Sequence, residues 1–272
     1  MSNTTQRILS AIVMMVIIIV AGMVGPNGLM VLLLVSGVLL VDELIFNMLK
    51  IKRTHLNYFM GIFSFIGGFL LVNYFDQNGF YYDYIIQTGV TINTALLAYL
   101  FFEKMESRFI VGFMKKYSFF MGLFFLIPIC SITYLLTQEM WLHYIVLMLL
   151  VNFLVDTGAW FFGKNFGNRK LWPAISPKKT VTGTLGGILT SVVISSLYIH
   201  FVFNKLNLLI IVSLLILTLF AQLGDLIESK LKRQLGVKDS SNLIPGHGGI
   251  YDRLDSLIFV APFYVMMVKY LF

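Results

Sequence analysis

Charge is what this sequence has least of. Asp, Glu, Lys and Arg supply 12% of its 272 residues, about half the roughly 25% usual in a soluble domain. That scarcity excludes an ordinary cytosolic enzyme and a disordered chain. Cysteine is almost missing as well. Cys130 stands alone, so no intramolecular disulfide can form and no Cys-based zinc site exists, which also excludes a disulfide-rich secreted module. The apolar run at 124–129 just before Cys130 marks it as a buried thiol.

What fills the chain instead is apolar: 58% of it is hydrophobic, with 25 Phe and 13 Tyr. A transmembrane helix takes ~20 apolar residues, so about ten spans would use up the whole length. Nine segments are predicted, near 8–24, 29–48, 58–74, 81–102, 117–136, 140–162, 181–203, 207–227 and 250–271. The fourth is the weakest, interrupted by Asp83, Gln87, Thr91, Asn93 and Thr94. The first has Arg7 ahead of an apolar stretch, as a signal peptide would. With eight further spans and no small-residue cleavage site, it is expected to be a retained helix.

The net charge of +7 would suggest nucleic acid in a soluble chain, but in a membrane protein its distribution is an orientation signal. Of the 20 Lys and Arg, all but Lys205 and Lys269 fall in the N-terminal tail and the even-numbered connections, or just inside the last span. The expected fold is therefore an all-α, polytopic transmembrane helix bundle of about nine spans, with a cytoplasmic N-terminus and the C-terminus outside. Residues 1–137 are expected to hold about five spans as an N-terminal scaffold, and residues 138–272 the remaining spans with cytoplasmic loops 163–180 and 229–249. The mixed stretch 103–116 is suited to lying flat in the interface.

Several of the 13 acidic residues sit where a membrane helix would not choose them. Asp156 lies near the cytoplasmic end of the sixth span, Asp225 and Glu228 close the eighth, and Asp252 and Asp255 open the ninth around Arg253. One such acid can pair and snorkel at the interface. Three separate helices bringing carboxylates to one depth point to an ion site or substrate path. Oxygen ligands suit a hard cation such as Mg²⁺, held by one or two carboxylates with phosphate oxygens and water.

Two polar connections flank these acids. In the sixth, Ser176-Pro177-Lys178-Lys179-Thr180 leads into the seventh helix. Cations, a hydroxyl and free N–H groups there make a phosphate site, or equally a basic anchor followed by an ordinary helix cap. In the eighth, Pro245-Gly246-His247-Gly248-Gly249 requires a tight turn directly before the acids of the ninth span. His247 there can donate a hydrogen bond; His55, His143 and His200 are read as structural.

Residues 229–255 resemble the signature of the phosphatidate cytidylyltransferase (CDP-diacylglycerol synthase) family. The resemblance rests on Ser229, Lys232, Arg233, Lys238, Asp239, Ser241, Pro245, His247, Gly248, Gly249, Asp252, Arg253 and Asp255. Upstream, Gly224-Asp225-Leu226 with Glu228, Asp156-Thr157-Gly158-Ala159 and the 176–180 stretch also match. Two departures are Thr182, where the family usually has Glu or Gln, and Trp160, where it usually has Tyr. The resemblance implies transfer of the cytidylyl group of CTP to phosphatidic acid, giving CDP-diacylglycerol and pyrophosphate. Implied roles are Mg²⁺ at Asp225 and Asp252, with room for a second cation, and Asp156 and Asp255 orienting the site. Ser176, Lys178, Lys179, Thr180, Ser229, Lys232, Arg233, Lys238, Asp239, His247, Gly248, Gly249 and Arg253 would hold substrate. The implied partners are CTP, phosphatidic acid and the bilayer, with a second copy of the chain as a further candidate and no nucleic acid. The implied location is the cell (inner) membrane, with the site on its cytoplasmic face. Two alternatives remain at this level: a CTP-dependent transferase acting on an isoprenoid phosphate or alcohol, and a cation-coupled transporter. Against the transporter, the acids lie at helix ends and no repeat symmetry is present.

Overall fold

The computed structural model describes residues 3–76 and 79–272. Helices run α1 (Asn3–Val24), α2 (Pro26–Asp42), α3 (Leu56–Leu70), α4 (Phe80–Phe102), α5 (Phe109–Lys116), α6 (Met121–Leu136), α7 (Trp141–Phe166), α8 (Val181–Phe203), α9 (Leu208–Gln234) and α10 (Tyr251–Leu271). Two wider, π-type turns, Glu43–Met48 and Leu71–Phe75, continue α2 and α3. Among the described residues nine helices, all but α5, are long and apolar enough to cross a membrane. The protein is a multi-pass membrane protein.

Local chemistry sets the helix starts. Gly25, at φ 95°, turns the chain into Pro26, whose ring suits the first turn of α2. His55, Thr180 and Asn207 each accept a backbone N–H at the start of α3, α8 and α9. Helices α7 and α8 pack closely because α8 carries small residues on that face. A Cβ at Gly187 would run into the Val155 carbonyl, so the two backbones meet directly.

Leu147, Val151, Leu214, Val260 and Tyr264 anchor one core between α7, α9 and α10. A second joins Leu40 and Leu44 with Phe65, Phe125, Leu231 and Tyr251. Helices from both halves of the chain therefore share one interior, and Cys130 is buried within it. Helix α1 contrasts with the rest, since no side chain of its apolar window is buried.

Two connections differ from the sequence expectation. Helix α9 continues to Gln234 instead of ending near 227. Its charged last turns are stabilised by the end of α4. The Lys230 ammonium donates to the carbonyls of Tyr99 (2.8 Å), Leu100 (3.1 Å) and Glu103 (2.5 Å). Gln234 donates to the carbonyls of Lys104 and Ser107 and accepts from the Tyr99 hydroxyl. The free part of the eighth connection thus begins at Leu235. In the sixth connection, α7 runs on to Phe166, and an antiparallel hairpin follows, β1 (Lys170–Trp172) with β2 (Ser176–Thr180).

Candidate active site

Helices α9 and α10 bring three carboxylates together. One oxygen from each of Asp225, Glu228 and Asp255 lies within 4.8 Å of the others. Asp225 and Glu228 are one turn apart near the end of α9, and Asp255 faces them from the first turns of α10. Lys179, at the end of the hairpin, pairs with Asp225 at 2.5 Å and also donates to the Gln222 side chain. The Ser229 hydroxyl donates to the other Asp225 oxygen at 3.2 Å. Asp156, exposed on α7, lies within electrostatic reach of Asp225, Lys179 and Arg253. Asp255 in turn feels both Asp225 and Asp156. All five acids therefore share one end of the bundle, as the sequence predicts.

Asp252 is placed differently from the other acids. Its Oδ2 accepts the backbone N–H groups of Ser240 and Gly249, each at 2.8 Å, and its Oδ1 accepts from Lys232 at 2.6 Å. Lys232 also pairs with Glu228 Oε2 at 2.6 Å, through contact distance and not through an aligned hydrogen bond. Lys232 thus ties Asp252 to the three-carboxylate cluster.

The donor set fits a hard divalent cation. Its ligands are all carboxylate oxygens, and Glu228 Oε1 has no hydrogen-bond partner among the described residues. Five acids also outnumber the two ammonium groups in contact with them, Lys179 and Lys232. Such an excess of negative charge is relieved by a bound cation, by further bases or by protons.

The remaining sequence candidates lie on the hairpin, at the end of α9, in the connection after it and at the start of α10. Lys178, Arg233, Lys238, Asp239 and Arg253 are exposed, and Ser176 is half-buried at the start of β2. Among the described residues Lys178, Lys238 and Arg253 make no ion pair, so their charges are available to an anion. The Thr180 hydroxyl accepts the Gly183 N–H as a helix cap. Trp160 is exposed with the Lys164 ammonium 5.0 Å from its ring centre.

The turn before α10 closes through an Ile244–Gly248 backbone pair, with φ at 77° for Gly246 and 85° for Gly248. Glycine is needed for a second reason at Gly248, where a Cβ would strike the Asp252 carboxylate. The N-terminal end of α1 docks on this turn. Arg7 donates to the Gly246 carbonyl at 3.0 Å, and the Ser10 hydroxyl lies 2.6 Å from His247 Nδ1.

Burial first, then the positive charges of Arg253 and Arg7, hold His247 below the usual imidazole range, so its ring is neutral at pH 7. A lowered value means that the stability contributed by the neutral ring is fully present above the ordinary histidine range and is lost as pH falls through the lowered one. Spin labels at Ile8 and Asn242 should therefore show one short distance at mildly alkaline pH that broadens on acidification. In His247→Gln the distance should not change with pH. A pH-independent distance in the unsubstituted protein would sink this account.

Sequence reasoning left two groups out of the site. Glu228 reads as a helix-end acid and as part of the family match with no role of its own, yet it completes the cluster. Glu43, from the first half of the chain, is given no role by the sequence reading and reaches the same turn; the signal that could have found it is its place, beside Asp42, inside the predicted span 29–48.

The whole chain has known likenesses. The cytidylyltransferase family profile matches residues 5–271. A phosphatidate cytidylyltransferase of Staphylococcus saprophyticus is 36% identical over 262 residues, covering 94% of this chain and 95% of that protein. Namesakes from Staphylococcus haemolyticus and Staphylococcus aureus are 34% and 35% identical over 263 and 257 residues, with the same coverage.

Proposed function

The chain belongs to the cytidylyltransferase family, and from that premise we propose that it makes CDP-diacylglycerol and pyrophosphate from CTP and phosphatidic acid. It is a nucleotidyltransferase; the lipid acceptor and a Mg²⁺ requirement are the finer parts of the proposal. The observation that carries the proposal is the Asp225–Glu228–Asp255 cluster with Lys179 against it and unpaired cations around it.

In the proposed reaction an oxygen of the lipid phosphate attacks the α-phosphorus of CTP. The bond from that phosphorus to the bridging oxygen breaks, and pyrophosphate leaves with the electron pair. A phosphomonoester is already anionic near neutral pH, so neither a general base nor a covalent enzyme intermediate is needed. The obstacle is repulsion between two anions, and the remedy is positioned positive charge. Lys178, Lys179, Arg233, Lys238 and Arg253 would meet the phosphates. Ser229 holds Asp225, Lys232 holds Asp252, and Thr180, by capping α8, fixes the hairpin that delivers Lys179. Asp225, Glu228 and Asp255 would hold Mg²⁺, with Asp252 and Asp156 beside them and room for a second cation. Bound there, the ion would neutralise charge on the triphosphate and leaving group.

We place the catalytic groups in residues 138–272, the scaffold in 1–137, and the site on the cytoplasmic face of the cell membrane. The distribution of Lys and Arg supports that orientation.

A cavity of about 690 Å³ offers a route for the lipid. Val13 and Met14 of α1, Leu33, Ile132, Met148 and Leu257 line it, with Arg253 at its rim. Its apolar walls suit acyl chains, and Arg253, part of its lining, is within electrostatic reach of Asp156. Met14→Trp should raise the KM for long-chain phosphatidate by about tenfold and leave that for CTP unchanged. Equal shifts in both constants would argue against an acyl site here.

The deciding assay gives purified protein labelled CTP with either phosphatidate or a polyprenyl phosphate, with and without Mg²⁺. CDP-diacylglycerol formed only with phosphatidate and Mg²⁺ is expected. Product from the polyprenyl acceptor alone would replace the lipid assignment.

A further inference from the structure

Glu43 opens the π-type turn after α2 and is 2% exposed. Its neighbour Asp42 points the other way, to Arg53 and the Tyr58 hydroxyl, each at 2.7 Å. Glu43 has no cation among the described residues. Four neutral donors surround its carboxylate instead. The hydroxyls of Ser241 and Ser240 donate at 2.7 and 2.8 Å, and the backbone N–H groups of Ile250 and Tyr251 at 2.8 and 2.9 Å.

Those last two donors are the opening N–H groups of α10. The residue preceding that helix, Ile250, has no side chain that can cap it. A helix start leaves several N–H groups unpaired and carries partial positive charge. Glu43 supplies the missing cap from a helix some two hundred residues away in sequence.

The contact leads straight to the acids. The Ser240 hydroxyl lies 2.8 Å from Glu43 Oε2 and 3.0 Å from Asp252 Oδ2, so its single proton is shared between two carboxylates. Asp252 then reaches Lys232, and Lys232 reaches Glu228. Gly249 belongs to the same arrangement, because a Cβ there would overlap the Ser240 hydroxyl and both Glu43 oxygens. A π turn at such a place is a recurrent mark of function.

We propose that Glu43 is a positioning residue for the transfer reaction, holding the 240–251 turn and the start of α10 so that Asp252 and Asp255 stand at the cation cluster. The proposal rests on the function proposed above. It also means that the scaffold half contributes to the site.

The test compares the full-length protein with Glu43→Gln and with the milder Ser240→Ala. In Glu43→Gln, which swaps two acceptors for one acceptor and one donor, kcat per folded molecule should fall about 100-fold. The KM values for CTP and phosphatidate should stay within about threefold. The Mg²⁺ concentration that half-saturates thermal stabilisation should rise about tenfold, as metal sites do when an orienting partner is lost. Hydrogen exchange across residues 240–255 should quicken. Ser240→Ala, which removes only the bridge, should move kcat and the Mg²⁺ midpoint the same way by less, and it serves if Glu43→Gln does not fold. Unchanged kcat per folded molecule with an unchanged Mg²⁺ midpoint in the variants would overturn the proposal, even if thermal stability dropped. Unsubstituted protein that forms no CDP-lipid would remove the function instead, and the Mg²⁺ midpoints would still decide the role of Glu43.

Discussion

Asp225→Asn should leave a folded membrane protein that makes almost no CDP-lipid, with turnover reduced by about 10³-fold or more. Asparagine keeps the size and one acceptor but removes the charge. The three-carboxylate cluster then loses an anionic ligand, and Lys179 loses its partner at 2.5 Å. Asp252→Asn should also abolish activity, by a different route: the amide cannot accept from Ser240, Gly249 and Lys232 as the carboxylate does. Labelled-CTP turnover in purified variants, with folding checked by gel filtration and thermal unfolding, measures both. The Mg²⁺-dependent thermal shift should vanish in Asp225→Asn. Normal activity in Asp225→Asn would remove the cation site from the mechanism.

Lys230→Met should produce the largest loss of stability, about 3 kcal/mol or more, since three carbonyls at the end of α4 would lose a charged donor. Lys230 is 1% exposed, and its ammonium also sits 4.5 Å from the centre of the Tyr99 ring. Methionine fills the same space and offers those carbonyls nothing. Thermal unfolding in detergent should shift strongly downward. Turnover per folded molecule should stay near that of the unsubstituted protein, because Lys230 points away from the acids, toward α4. A variant as stable as the original but inactive would mean that Lys230 serves the site directly.

The spans were readable from composition because bilayer thickness imposes a length on apolar runs, and all nine fall where hydropathy places them. The far end of α9 was not readable. Ser229 to Gln234 look like a polar loop, and only the carbonyls of α4 explain why Lys230 can be buried there. The acids were readable as a group because three helices place them at one end. Their partition was not: Asp225, Glu228 and Asp255 converge, while Asp252 is occupied by Lys232 and two backbone N–H groups. Glu43 was invisible for a plain reason. It is the second of two adjacent acids, and nothing in the sequence tells it from Asp42, while all four of its donors lie about two hundred positions away.

Helix α1 has a consequence for how this sequence can drift. Most of its apolar side chains are exposed, so selection on much of its length, apart from the cavity wall at Val13 and Met14, acts on bulk oiliness and hardly on identity. Arg7 and Ser10, which touch the Pro245–His247 turn, answer to a different constraint. In a deep mutational scan α1 should read as a nearly blank stretch, tolerant of any exchange among Leu, Ile, Val, Met and Phe, with intolerance concentrated toward the end that carries these two polar residues.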